Sequence, residues 1–125
     1  MNHERHYTVD EANAALDWVR ERLERLREAR EQLTDEEARA ALSDAAPGNG
    51  GGGPGRVVSA GFLTLREVLG ELQAVEIVLR DLDRGLVDFP ALRDGEEVYL
   101  CWVEGEDRIA WWHELDAGYA GRQPL

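Results

Sequence analysis

The chain has no lysine, one cysteine and one methionine. A single cysteine excludes an intrachain disulfide, and because Cys101 lies in an apolar run it is typical of a small buried hydrophobic residue. Structural disulfides belong to oxidising compartments, so this cysteine usage predicts a cytoplasmic protein. The first six residues lack the apolar stretch of a secretory signal. No apolar run is long enough for a transmembrane helix, so we expect no membrane partner.

Positive charge is also scarce. All 14 basic residues are arginine, and 26 acidic residues bring the net charge to −12. Nucleic-acid binding needs a basic surface that meets phosphates, and anionic membranes attract basic segments. The charge balance therefore argues against both partners. A length of 125 residues with 43% apolar residues fits one globular domain, residues 1–125, with a modest core.

The first half of the chain has helical periodicity, and residues 7–46 are predicted as a helical segment. Thr8 followed by Glu11 is a capping-box signature. Apolar residues then recur at alternating steps of four and three, namely Ala12, Leu16, Val19, Leu23, Leu26 and Leu33. Glycines and prolines at 47–55 predict a flexible linker. A second helix is expected at 59–75, folded back on the first as a long antiparallel helical hairpin.

Residues 76–113 are predicted as a β-sheet region. Short β-prone runs separated by turn residues indicate about four short strands, mainly antiparallel. The fold class is therefore α+β, with the hairpin packed on a small sheet. Neither face of the strands at 97–103 and 108–113 is polar, so both faces must be covered. The helices cover one face. The other needs the C-terminal tail or a second copy, and we therefore expect a homo-oligomer, a dimer in the simplest case.

The C-terminal residues 114–125 are predicted to dock on the sheet. Chain ends usually fray and carry small polar residues. This one follows two tryptophans and includes Tyr119 and Arg122. Such residues are costly to leave disordered, so the tail is where we expect a site.

The candidate ligand-binding residues are Asp88, His113 and Arg122. Asp88 stands between apolar residues of a short strand, where a carboxylate needs a partner, and His113, Arg122 and Arg84 are the alternatives. Arg122 suits a two-pronged clamp on a small anionic ligand. The alternative role for Arg122 is to fasten the tail to an acidic group on the body of the domain.

A divalent transition metal is the candidate cofactor, held by His113 and a carboxylate from Glu114, Asp116 or Asp88. Imidazole with carboxylates suits zinc, iron or manganese. The spacing matches no known metal motif, and the competing interpretation is a histidine bonded to one carboxylate that holds the tail. His3 and His6 precede the first helix and are predicted to be solvated. No residues are arranged for nucleophilic catalysis, so catalytic residues are not assigned.

Four stretches together resemble a known family. They are Tyr7 to Asn13, Gly85 to Ala91, Leu100 to Trp102 and Trp112 to Pro124. They are similar to a bacterial family of small proteins catalogued as domain of unknown function 2203, over nearly the whole chain except the glycine linker. The resemblance implies one domain and points to the same residues, but it implies no reaction.

Two functions follow as expectations. The first is a homo-oligomeric binding module whose site lies at the sheet and the tail, and whose ligand is a small anion or a partner protein. The second is a small metal-dependent enzyme, in which His113 and a carboxylate hold the metal and Arg122 clamps an anion.

Overall fold

The computed structural model describes residues 1–33 and 59–125. These residues form an α+β fold, as the sequence predicts. The helices are α1 (Val9–Ala14), α2 (Leu16–Glu31) and α3 (Ala60–Ala74), and the strands are β1 (Val78–Asp81), β2 (Leu86–Arg93), β3 (Glu96–Val103), β4 (Trp111–Glu114) and β5 (Gln123–Pro124). A 3-10 turn lies at Tyr119–Gly121. None of the described helices has the length and apolarity needed to cross a bilayer.

The predicted capping box is present at the start of α1. Thr8 Oγ1 accepts a hydrogen bond from the Glu11 amide at 3.0 Å, and Glu11 Oε1 accepts one from the Thr8 amide at 2.9 Å. The helical path is interrupted at Ala15, so α1 and α2 are separate helices. The part of the predicted segment 7–46 beyond residue 33, and the predicted linker 47–55, lie outside the described residues.

Helix α3 agrees with the predicted second helix and lies against α2. Arg22 pairs with Glu71 at 3.0 Å, whereas Arg25 approaches Glu67 at 3.8 Å. Residues further along α2 therefore contact residues earlier in α3, so the two helices run antiparallel. Near one end of the pair, a side chain at Gly61 would come within 2.7 Å of a backbone oxygen of α2. The connection that would make the pair a hairpin lies outside the described residues.

The sheet has five strands in the order β1-β2-β3-β4-β5, and each pairs antiparallel with its neighbour. One strand more is present than predicted, because the tail supplies β5, which pairs with β4. Strand β1 begins at Val78, two residues after the start of the predicted β-sheet region. Glu76, with a φ of 59°, lies between the end of α3 and this strand. Strand β4 begins three residues later than predicted. The Ile109 amide bonds to Asn13 Oδ1, at 2.8 Å, instead of to a strand.

One face of the sheet packs against the helices. It presents Val87, Phe89, Ala91, Val98, Leu100 and Trp102, all of which belong to the apolar core. We call the opposite side the second face. It presents Leu86, Asp88, Pro90, Tyr99, Cys101 and His113, and all six are buried. The chain itself covers the second face, through residues near the N-terminus and through the tail. The sequence argument that both faces must be covered is thus met without a second copy.

Candidate functional site

Asp88 and His113 form a buried polar pair on the second face. His113 Nε2 lies 3.0 Å from Asp88 Oδ1, and the two side chains are 1% and 2% exposed. Asp88 lies on β2 opposite Cys101, and His113 lies on β4 opposite Tyr99. Because alternate residues of a strand point to the same face, this register brings the pair together on one side of the sheet.

Both ring nitrogens of His113 face oxygen acceptors. Nε2 faces the Asp88 carboxylate, and Nδ1 lies 2.7 Å from the carbonyl oxygen of Glu114. The buried ring therefore has an oxygen partner at each nitrogen.

Arg80 completes this cluster from the neighbouring strand. Its Nε donates to Asp88 Oδ2 at 2.9 Å, and the side chain is 42% exposed, whereas that of Asp88 is 2% exposed. The guanidinium lies over the Tyr99 ring, 5.1 Å from its centroid. Sequence reasoning proposed Arg122 or Arg84 as arginine partners and missed Arg80. The β1–β2 pairing brings Arg80 to Asp88, because Val78 lies opposite Asp88 and Arg80 is the diagonal neighbour of Asp88.

A cavity of about 850 Å³ runs along the outer edge of β1, and Arg80 lines it. Helix α3 contributes Arg66, Leu69 and Gly70 to its wall, and His3 lines it from the N-terminal side. Arg30 also lines the cavity and is paired with Asp83 at 2.7 Å. Three of the 14 arginines therefore line one cavity of a strongly acidic chain, together with the carboxylates of Glu76 and Asp83.

Arg122 is placed apart from the Asp88 pair. Its Nη2 donates to both carboxylate oxygens of Glu106, at 2.8 and 2.7 Å, and its guanidinium lies near the rings of Trp111 and Tyr119. Burial opposes the charge, but the hydrogen bond and charge of Glu106 raise the pKa of Arg122 above its ordinary value. This geometry is the tail-fastening alternative of the sequence analysis.

The metal ligands proposed from the sequence do not all lie together. Glu114 is exposed and stands opposite Val98, so it points away from the face that carries His113. Asp116 is also exposed, in the turn after β4. Of the three carboxylates considered from the sequence, Asp88 is the one grouped with the histidine. The ligand atoms of Asp88, Cys101 and His113, all buried, lie within 4.8 Å of one another.

Cys101 is a poor nucleophile in this setting. Burial, together with the nearby charge of Asp88, raises the pKa of the Cys101 thiol to about 12. Reactive cysteines are partly exposed and have a lowered pKa. Sequence reasoning had already treated this residue as buried and inert.

The N-terminal histidines are bonded, so the prediction that they are solvated is wrong. His3 Nε2 lies 2.7 Å from the Tyr99 hydroxyl, and His3 Nδ1 lies 3.2 Å from Glu76 Oε1. His6 Nε2 lies 2.7 Å from Glu97 Oε2. These contacts join residues more than 70 positions apart, and no local pattern could have indicated them.

Two carboxylates hold the N-terminal segment of residues 2–6, which we call the N-terminal strap. Glu97 accepts from the amides of Asn2 and His3, and Glu76 accepts from those of Glu4 and Arg5. The hydrogen bond from the Arg5 amide is the main reason why the pKa of Glu76 is lowered. Burial alone would raise the pKa of Glu97, but its hydrogen bonds from His6, Asn2 and His3 together lower it.

The fold and the site define a small α+β protein with a buried carboxylate–imidazole pair that orients an arginine at a cavity. A family model described as "Uncharacterized conserved protein (DUF2203)" matches residues 5–125, and the chain belongs to this family. The resemblance stated from the sequence is thereby confirmed. No curated protein and no solved structure matches the chain.

Proposed function

We propose that this protein is a binding module that takes an anionic group in the cavity along β1, with Arg80 as its anchor. The observation that carries the proposal is that Arg80 is held by a buried carboxylate and is at the same time exposed at the cavity. Its Nε is bonded to a buried carboxylate, while the side chain is 42% exposed and lines the cavity. A guanidinium fixed at one edge loses less freedom when it binds a carboxylate or phosphate, and this is the benefit of preorganisation.

Asp88 and His113 serve in this account as positioning residues. A buried ion pair is weak evidence for stability, because removing charges from water costs about as much as their attraction returns. Apolar residues would fill the second face without that cost. The pair instead gives Arg80 a fixed partner: Asp88 accepts from Arg80 through one oxygen and from His113 through the other.

Binding is favoured over catalysis by the accessibility of the candidate groups. His113 is 1% exposed, so its ring cannot reach a ligand in the cavity without rearrangement. The Cys101 thiol is buried and its pKa is about 12, so it does not supply a nucleophile. Two carboxylates also line the cavity, but Asp83 pairs with Arg30 and Glu76 bonds the His3 ring. Recognition of an anion therefore falls to Arg80, with Arg66 as a second cation from α3.

Calorimetry with citrate and inorganic phosphate tests the proposal. We expect saturable binding that weakens as salt is added, because the interaction is between charges near the surface. Arg80→Gln should weaken binding about tenfold or more, the scale of one charged hydrogen-bonded contact. Arg84→Gln is the matched control, because Arg84 stacks on Tyr119 at 4.5 Å and does not line the cavity. Absence of saturable heat, or equal affinity of Arg80→Gln and the natural protein, contradicts the proposal.

Homo-oligomerisation, the α2–α3 hairpin and a cytoplasmic location are part of the same proposal. Leu63 on α3 is 59% exposed, so the outer side of the helices is a candidate contact between copies. A dimer of twice 14.0 kDa is the expected mass by light scattering. A monomer across the concentration range removes the oligomer from the proposal and leaves the anion site intact.

A second candidate function, a metal-dependent one, is favoured by the grouping of Asp88, Cys101 and His113. A buried Cys–His–carboxylate set suits zinc. Cobalt(II) is the probe, because a thiolate ligand gives it an intense near-ultraviolet band. Stoichiometric cobalt with that band, lost in Cys101→Ser, would support a metal site. Failure to take up the metal, with the fold intact, would leave anion binding as the function.

A further inference from the structure

The cavity lies along an open strand edge. Among the described residues, β1 has one strand neighbour, β2, so its other side is the outer edge of the sheet. Such an edge presents unpaired backbone N–H and C=O groups, which another extended chain can match. The opposite edge of the sheet is a poorer template, because β5 has only two residues and one of them is Pro124.

We infer that the natural ligand is an extended segment of a partner protein that pairs with β1 and carries alternating apolar and acidic side chains. The inference rests on the proposed anion site and names the partner class for it. An added strand would gain affinity from main-chain hydrogen bonds and specificity from alternate side chains. Its alternation would follow that of Val78 and Leu79, which precede the irregularity of the β1–β2 register between Leu79 and Asp81.

The apolar side chains of the added strand would face the α3 side of the cavity. Leu79 points toward the helical layer and is only partly buried, as is Leu69 of α3. Gly70 lines the same cavity and is exposed. Apart from its chain neighbours and its own helix backbone, no atom of the described residues lies within 4 Å of the place where a Cβ would stand. Glycine within a helix costs up to about 1 kcal/mol relative to alanine, and no close packing within the described residues requires it here. The open space at Gly70 is room for an incoming apolar side chain.

The acidic side chains of the added strand would face the opposite side, next to the second face of the sheet. Arg80 and His3 line the cavity there, next to the second face. Arg66 places a cation on the α3 side of the cavity as well, with its guanidinium 5.9 Å from the centroid of the Phe62 ring. An acidic side chain on the side of the second face would meet Arg80, its neighbour across the new strand pair. The His3 ring beside it is already bonded to Glu76 and Tyr99.

Synthetic peptides test the inference on the full-length protein. The probe alternates valine and glutamate over about seven residues, enough to cover β1 at roughly 3.3 Å per residue. One control has the same composition with its glutamates in a single block. A second control carries N-methyl groups on the amides of one edge, which removes strand pairing but keeps the side chains. We expect the alternating peptide to bind about tenfold tighter than either control, a difference of about 1.4 kcal/mol.

Two substitutions at one position separate the apolar wall from the anion anchor. Gly70→Trp should fill the open space and abolish peptide binding while citrate binding is kept. Gly70→Ala is the matched control and should bind both probes, since a Cβ fits there without contact. Amide hydrogen exchange in β1 should slow when the alternating peptide binds.

The outcomes distinguish this inference from the function on which it rests. If citrate binds but the three peptides bind equally, strand pairing is wrong and the anion site stands. If neither citrate nor any peptide binds, the proposed function fails and the inference fails with it. If the alternating peptide binds but β1 amides gain no protection, the peptide lies elsewhere and the inference is overturned.

Discussion

His113 Nε2 and Asp88 Oδ1 lie 3.0 Å apart at a depth where neither side chain meets solvent, and the other Asp88 oxygen holds Arg80. A carboxylate that joins a buried imidazole to a half-exposed guanidinium links the interior of the sheet to the cavity outside it. This link is the basis of the proposed anion site.

Removing either member of the buried pair should be costly. Asp88→Ala should lower the free energy of unfolding by about 3–5 kcal/mol, because it leaves the buried His113 ring without its partner. His113→Ala should cost less, because Asp88 keeps its pair with Arg80. The double variant should lose less than the sum, since the residues contact one another. Urea unfolding monitored by circular dichroism gives these values.

Asp116→Ala is the control for this comparison, because Asp116 is exposed in a turn. It should change the free energy of unfolding by no more than about 0.5 kcal/mol. If Asp88→Ala and His113→Ala behave like this control, the pair is not the buried centre described above.

Glu76 occupies a backbone conformation that favours glycine, with a φ of 59°, and its carboxylate bonds three groups of the N-terminal strap. Glu76→Ala should lose those bonds and keep the strain, whereas Glu76→Gly should lose the bonds and relieve it. The glycine variant should therefore be more stable than the alanine variant by about 1 kcal/mol. In both variants the Arg5 amide should exchange faster with solvent. An Arg5 amide that stays fully protected in Glu76→Ala would show that the carboxylate does not hold the strap.

The strap should also respond to acid through Glu97. Its pKa is lowered in the folded protein from an ordinary value of 4.5, so the ionised form is favoured by folding. The resulting stability is present above the unfolded pKa and is lost as the pH falls through the folded pKa. Thermal midpoints of the natural protein and of Glu97→Gln should differ at pH 7 and converge as the pH falls below 4.5. A difference that is constant with pH, or that grows in acid, would contradict this assignment.

The tail should contribute to stability. Deleting residues 118–125 removes β5, the pair between Arg122 and Glu106, and a guanidinium that covers Trp111. We expect a loss of about 2 kcal/mol or more, together with a red shift of tryptophan fluorescence. Leu125→Ala is the control, since the Leu125 side chain is 47% exposed. The hydrogen bond from the amide of residue 125 to the carbonyl oxygen of Ala110, just before β4, is kept in this variant. A truncated protein with an unchanged thermal midpoint would show that the tail does not stabilise the fold.

Local signals in the sequence were sufficient for much of this architecture. The capping box of Thr8 and Glu11 involves residues three apart, so the pattern predicts it directly. Alternation on β3 likewise predicts that both faces are covered, and both are. The break at Ala15 was not predicted, because the apolar series continues across it without change.

The cluster around Asp88 was predicted only in part. A carboxylate among apolar strand residues indicated a partner, and His113 was among the alternatives considered. Arg80 was missed because its approach depends on the register of β1 against β2, which is irregular between Leu79 and Asp81. The contacts of His3 depend on the path of the N-terminal strap, which is held by Glu76 and Glu97, both more than 70 residues away in sequence. Secondary-structure propensities carry no information about such distant contacts.

The most direct test of the account follows the side-chain Nε–H resonance of Arg80 by nuclear magnetic resonance during a citrate titration. The account predicts a saturable shift of this resonance in the natural protein and in Arg84→Gln. It predicts a much weaker response in a folded Asp88→Asn variant, where the guanidinium has lost its charged partner. A resonance that does not respond to citrate in the natural protein, or that responds equally in Asp88→Asn, would contradict the claim that the buried pair positions Arg80 for binding.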